Sequence, residues 1–270
     1  MDYRRQLTNN YFRYILYMSL SLEEIVDNSR TDKNTAHSYL PLYETLLVNK
    51  KETAKNILEI GISSGGSIKL WNDYFQNATI YGIDIMNINN VWDEIKNTDK
   101  IKLYTSVDAY DIKFFMNNVF KHNIKYDIIL DDGPHSLDSM KTFIILYSHM
   151  ITEDGLLIIE DVQSWDWINV LKNEVPDDLK PYIYVYDLRS NKNRYDDIVF
   201  TIDKSKLPNP WVYQEPVIQL PPQPLPQPLP QPSPQIQPVP RYQSRFLQKY
   251  QNKKIGNSYI NRRAWGIALY

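Results

Sequence analysis

Asn56-Ile-Leu-Glu-Ile-Gly-Ile-Ser-Ser-Gly-Gly-Ser67 decides the fold. It reads as a short buried strand ending in Glu59-x-Gly61, a loop of small residues, and the start of a helix at Ser67. Small residues let a backbone approach a ligand closely, and a helix N-terminus adds partial positive charge. Gly61, Gly65 and Ser67 are therefore candidate ligand contacts, and Glu59 is a carboxylate suited to an amine-bearing or cationic group. The pattern differs from a dinucleotide site. Ser63 stands where G-x-G-x-x-G needs its second glycine, and no lysine fits a P-loop.

Outward from this stretch, apolar runs alternate with helical patterns. Strands are expected at Thr79–Asp84, Ile101–Tyr104, Tyr126–Leu130 and Gly155–Glu160, with helices at Val91–Asn97, Asp111–His122 and Ser136–Met150. Near-continuous apolar strands separated by helices predict a mostly parallel sheet covered on both faces. Tyr182–Tyr186 and Asp197–Ile202 are joined by a polar loop without a helix pattern, so they read as an antiparallel pair at the sheet edge. Ligands of such sheets bind at the carboxyl ends of the strands. Upstream, residues 1–50 read as a helical cap, with Leu40, Tyr43, Leu46 and Leu47 at helical spacing in a helix over Thr35–Asn49.

The strand carboxyl ends carry the chemistry. Ile80-Tyr-Gly-Ile-Asp84 ends in an acid that can accept the hydroxyls of a ribose, or cap a helix. Ser106-Val-Asp108 follows the third strand, where such a fold meets an adenine. Asp131-Asp132-Gly133-Pro134-His135 follows the fourth strand and Glu160-Asp161 ends the fifth. Adjacent strands lie about 4.8 Å apart, so these carboxylates converge on one rim. No cation lies close to them in sequence, and such a cluster is costly without one. Oxygen-rich donor sets suit Mg²⁺ or Mn²⁺. His135, three residues past Asp132, is placed to act as a base beside the ion; solvated, helix-capping acids are the alternative.

These motifs, with Thr31-Asp32-Lys33, His37-x-Tyr39, Tyr43-Glu44 and Tyr195-Asp-Asp-Ile-Val199, resemble the metal-dependent sugar O-methyltransferases of macrolide biosynthesis and the related rhamnosyl O-methyltransferases. The resemblance runs from about Thr31 to Ile202. It implies a Rossmann-like class I methyltransferase fold, α/β, with a seven-stranded, mostly parallel sheet and an antiparallel edge strand. It also implies S-adenosyl-L-methionine held by Glu59, Asp84 and the Asp108 region, Mg²⁺ ligated by Asp132, Glu160 and Asp161, and His135 as base. Pro134 stands where that family commonly has serine, and Gln163-Ser-Trp165 replaces a more aromatic segment; both departures bear on the acceptor pocket.

The expected activity is O-methylation of a sugar or glycoconjugate. The alternatives are a vicinal-diol acceptor such as a catechol, and a non-catalytic methyltransferase-like binding module. The catalytic unit is placed at residues 51–219. From Leu220 the grammar changes: residues 221–240 hold ten prolines and no charge. This segment reads as an extended polyproline II linker of about 60 Å, or a ligand for a polyproline-binding partner. Residues 241–270 form a basic tail with seven basic and no acidic residues, leaving −9 on residues 1–219. An acidic body argues against nucleic acid as substrate. The absence of cysteine excludes disulfides and thiolate metal sites. With no signal-like N-terminus and no apolar run of spanning length, the sequence predicts a soluble cytoplasmic protein with a small-molecule or glycan acceptor, no membrane partner, and scope for a homo-oligomer.

Overall fold

The computed structural model describes residues 20–208. The proline run, the basic tail and residues 1–19 lie outside the described residues. Seven strands form one sheet: β1 (Asn56–Ile60), β2 (Thr79–Asp84), β3 (Ile101–Thr105), β4 (Tyr126–Asp131), β5 (Ile151–Ile159), β6 (Ile183–Asp187) and β7 (Ile198–Asp203). Their order is β3-β2-β1-β4-β5-β7-β6. The pairs among β1 to β5 are parallel. β7 is antiparallel to both β5 and β6, which makes the edge pair expected from the sequence. The chain winds one way from β1 to β3, then crosses to β4. The strand order therefore reverses between β1 and β4, where an open α/β sheet leaves its ligand crevice.

Alternation along the strands feeds two cores. Ile57, Ile128 and Leu130 pack on one face with Tyr43, Leu47, Trp71 and Phe75. Leu58, Ile60 and Ile129 pack on the other with Phe115, Phe143, Tyr147 and Leu171. Helices α1 (Leu22–Ile25), α2 (Leu40–Leu47) and α3 (Gly66–Tyr74) supply side chains to the first face. The second face is covered in part by α4 (Leu137–Tyr147) and α5 (Trp167–Glu174).

Three elements differ from the sequence expectation. The helix predicted from Thr35 begins only at Leu40, behind Pro41 at its first turn, because residues 26–39 run as an irregular segment toward the strand ends. The helix predicted over 111–122 opens with a turn capped by Asp111, then widens into a π-helix (Phe115–Val119) and closes in a 3₁₀ turn (Phe120–His122). The loop after β6 contains one helical turn, Arg189–Lys192, and α5 fills a stretch to which the sequence reading assigned no element.

The loop after β1 is fixed by crowding. Gly61 has φ +82°, and a Cβ there would lie 2.0 Å from the Asp132 carbonyl oxygen. Backbone conformation and space both demand glycine. Gly61→Ala is expected to lower the unfolding free energy by about 2–4 kcal/mol, combining left-handed strain with a backbone clash. Urea denaturation reads this directly, and an unchanged midpoint would show that the loop relaxes freely.

Candidate functional site

The parallel register brings the strand ends level. Ile60 pairs with Ile83 and Asp131, and Asp131 pairs with Ile159. The ladder continues into the loops, where Asp132 donates its N–H to the Ile60 carbonyl (2.8 Å) and Glu160 to the Asp131 carbonyl (3.1 Å). Asp132, Glu160 and Asp161 consequently sit on one rim.

Asp132 Oδ1 lies 3.6 Å from His135 Nε2, which lies 3.5 Å from Asp161 Oδ2. These side chains offer ligand atoms within 4.8 Å of one another. His135 (φ +50°) and Asp161 (φ +53°) both occupy the left-handed region. That conformation is uncommon for residues with a Cβ, and here it turns both side chains into one spot. His135 is partly exposed, while Asp161 is buried. The Asp161 carboxyl is held above its usual range by burial, against the opposing effects of the Tyr39 hydroxyl and of His135 and His37.

Glu160 points inward. Its Oε1 accepts from the Tyr43 hydroxyl and its Oε2 from Lys33 Nζ at 2.6 Å. Burial pushes its pKa well up against the pull of Lys33. Asp131 also turns away from the spot shared by Asp132, His135 and Asp161 and accepts from the Tyr110 hydroxyl.

The sequence offered no neighbouring cation, yet one sits in the cluster. Lys33 is 1% exposed and comes from the irregular segment 26–39. Its ammonium lies 2.7 Å from Asp132 Oδ2, 2.6 Å from Glu160 Oε2 and 3.6 Å from Glu59 Oε1. Burial acts to lower the Lys33 pKa, but Asp132, Glu160 and Glu59 overcome it and hold the pKa well above the usual lysine range. The same segment supplies His37, whose Nδ1 is 2.7 Å from Asp197 Oδ1 and 3.3 Å from Asp161 Oδ1, and Tyr39, whose hydroxyl donates to Asp161. Lys33, His37, Tyr39, Tyr43 and Asp197 stood in the motifs quoted from the sequence, but nothing local gave them roles. Their partners lie more than a hundred residues away, save Asp132, at 99.

On the glycine-loop side, Glu59 is fully buried and its Oε2 accepts from Ser67 Oγ (2.7 Å) and Trp71 Nε1 (3.0 Å). Its Oε1 accepts no hydrogen bond. Asp84 Oδ2 accepts the N–H groups of Ile62 and Ser63, both at 2.8 Å, and Oδ1 accepts that of Met86 at 2.7 Å. Asp84 therefore anchors the loop it was expected to face. Gly65 (φ +93°) caps α3, and Gly66 has no room for a Cβ because the Arg30 carbonyl oxygen would lie 1.9 Å away. Asp108 is exposed, and its Oδ1 accepts the Tyr110 N–H at 2.8 Å.

Burial pushes the Asp131 carboxyl up to about 7, and likewise that of Glu59 to about 7. For both, the folded value exceeds the unfolded one. Between about pH 4 and 7 the folded state then binds more protons than the unfolded chain, and stability falls as pH rises through that window. Asp131→Asn keeps an acceptor for Tyr110 and removes the charge. Its unfolding free energy relative to the parent is expected to improve by about 1–3 kcal/mol between pH 4.5 and 7.5. Parallel pH profiles in urea would show that Asp131 titration is not linked to folding.

No protein-family profile matches the chain. Curated relatives do. The mycinamicin VI 2''-O-methyltransferase of Micromonospora griseorubida is 27% identical over 139 residues, covering 48% of this chain and 33% of that protein. The L-olivosyl-oleandolide 3-O-methyltransferase of Streptomyces antibioticus is 30% identical over 139 residues, covering 48% of this chain and 34% of that protein. The chain thus spans about a third of the length of these relatives. Among solved structures, the MycE methyltransferase of the mycinamycin biosynthetic pathway, in complex with Mg, SAH and mycinamycin VI, superposes with a TM-score of 0.53 at 20% identity, covering 68% of this chain and 54% of that one. The chain described here has the Rossmann-like class I methyltransferase fold and is related in sequence to the sugar O-methyltransferases of macrolide biosynthesis.

Proposed function

We propose that this protein is an S-adenosylmethionine-dependent, divalent-metal-dependent O-methyltransferase acting on a hydroxyl of a sugar or glycoconjugate. The observation that carries the reading is the convergence of Asp132, His135 and Asp161, two of them in left-handed backbone, beside the glycine loop. The curated relatives, whose names place them on sugar hydroxyls, support the acceptor class.

The residues fit both groups. Carboxylate oxygens on Asp132, Glu160 and Asp161 are hard donors suited to Mg²⁺ or Mn²⁺. Glu59 leaves one desolvated oxygen without a donor at the end of β1, where the amine of the cofactor supplies one. Asp84, Asp108, Gly61, Gly65 and Ser67 line the same strand-end loops and complete the proposed cofactor set. When bound, the cation polarises an acceptor hydroxyl and the cofactor offers an already activated methyl group.

The chain's own residues do the rest. His135 Nε2 takes the hydroxyl proton as general base. Asp132 and Asp161, each within 3.6 Å of that nitrogen, stabilise the imidazolium that results. Tyr39 and His37 hold Asp161, and Tyr43 holds Glu160, so the carboxylates do not reorganise during transfer. Among the described residues, no helix is long and apolar enough to cross a membrane.

Mg²⁺ is expected to raise the melting temperature, since a ligand of the native state stabilises it by mass action. EDTA should abolish methyl transfer to a rhamnoside acceptor while sparing S-adenosylhomocysteine binding. His135→Ala should retain Mn²⁺ binding and lose about 10²- to 10⁴-fold in turnover. Asp132→Ala should lose both. Full activity in EDTA would sink the metal assignment, full activity of His135→Ala would remove the base, and turnover of a catechol but no glycoside would move the acceptor class.

A further inference from the structure

The ammonium of Lys33 stands between the two halves of the site. Its two short contacts go to Asp132 Oδ2 at 2.7 Å and Glu160 Oε2 at 2.6 Å, both on the metal side. A third direction faces Glu59 Oε1 at 3.6 Å, on the cofactor side. That oxygen is buried and accepts no hydrogen bond, whereas its partner oxygen is already held by Ser67 and Trp71. One lysine is thus shared among three carboxylates from three strands, and the longest of its contacts leads to the carboxylate with an open oxygen. An ammonium has three donors and rotates freely about its last bond, so less than an ångström of movement would convert the Glu59 contact into a hydrogen bond.

A divalent cation on Asp132 and Glu160 draws those carboxylates toward itself and repels the ammonium beside them. The only other acceptor described within reach of Nζ is Glu59 Oε1. We propose that Lys33 is a shared counter-ion that links the two sites: cation binding shifts its hydrogen bonding from the Asp132–Glu160 pair to the open oxygen of Glu59, which the cofactor's amine would otherwise use. This rests on the reading of the site given above. Occupancy of the metal side then weakens cofactor binding, and by linkage the cofactor weakens metal binding by the same factor. Lys33 is a positioning residue in this scheme. The backbone that carries it is wedged against α3, with the Arg30 carbonyl oxygen leaving no space for a Cβ on Gly66, so the freedom lies in the side chain rather than the segment.

The test is calorimetry on the full chain, titrating S-adenosylhomocysteine in EDTA and again in saturating Mn²⁺. For the parent the dissociation constant should rise about 5-fold or more with Mn²⁺, and the reciprocal Mn²⁺ titration should show the same factor. In Lys33→Met the ratio should fall toward one, a change that a purely structural role would not produce. Because that variant leaves buried carboxylates without a counter-ion and can fail to fold, Glu59→Gln serves as the second variant. It removes the charge that draws Lys33 across, and it too should shrink the ratio. A ratio of one in the parent, or the parent's ratio unchanged in the folded variants, overturns the link. If neither Mn²⁺ nor S-adenosylhomocysteine binds the parent, the methyltransferase reading falls with it; if both bind with a ratio of one, the link alone is wrong.

Discussion

Burying carboxylates is the constraint on which the rest of this structure depends. Glu59, Asp131, Glu160 and Asp161 are all under 10% exposed at one end of the sheet. Each is tolerable only because donors reach it: Ser67 and Trp71 for Glu59, Tyr110 for Asp131, Lys33 and Tyr43 for Glu160, Tyr39 for Asp161. Leaving one such ion without its partner costs several kcal/mol. The segment from Lys33 to Tyr43 supplies most of these donors to Glu160 and Asp161. It thus belongs to the site as much as the strand ends do, although it precedes the sheet in the chain and contributes no strand to it.

That division explains how much of the molecule could be read from the chain alone. The five parallel strands were legible because each is a short apolar run closed by a polar residue, as in Tyr126–Asp131. The rim acids were legible because parallel strands bring their ends together whatever the sequence between them. The donors were not. Lys33, His37 and Tyr39 sit in a stretch whose apolar spacing imitates a helix, and only tertiary contact shows that residues 26–39 uncoil to reach the acids. The π-helix over Phe115–Val119 is likewise invisible to a 3.6-residue period. By contrast, α5 carried a readable signal, with Ile168 and Leu171 buried on one side and Val175 just beyond its end.

The glycines show how one pattern can arise from a cause other than the expected one. Gly61 and Gly66 invite the reading that a ligand needs the space. The structure fills that space with protein: the Asp132 carbonyl lies against Gly61 and the Arg30 carbonyl against Gly66. The small residues let the β1 loop, the β4 loop and the N-terminal segment close on one another. In doing so they set the distance between the carboxylate of Glu59 and the pair held by Lys33. Asp84 works the same way, gripping Ile62 and Ser63 so that the loop keeps its shape.

The left-handed backbone at His135 and Asp161 has an evolutionary corollary. Residues with a Cβ at such angles cost about 1–3 kcal/mol, and glycine would relieve that cost at either position. Selection for thermal robustness alone would therefore drift both sites toward glycine and erase the imidazole and the carboxylate together. A stabilised descendant that still holds histidine and aspartate here would be under selection for what those side chains do, which makes these two positions the place to look when sorting working copies of this fold from decayed ones.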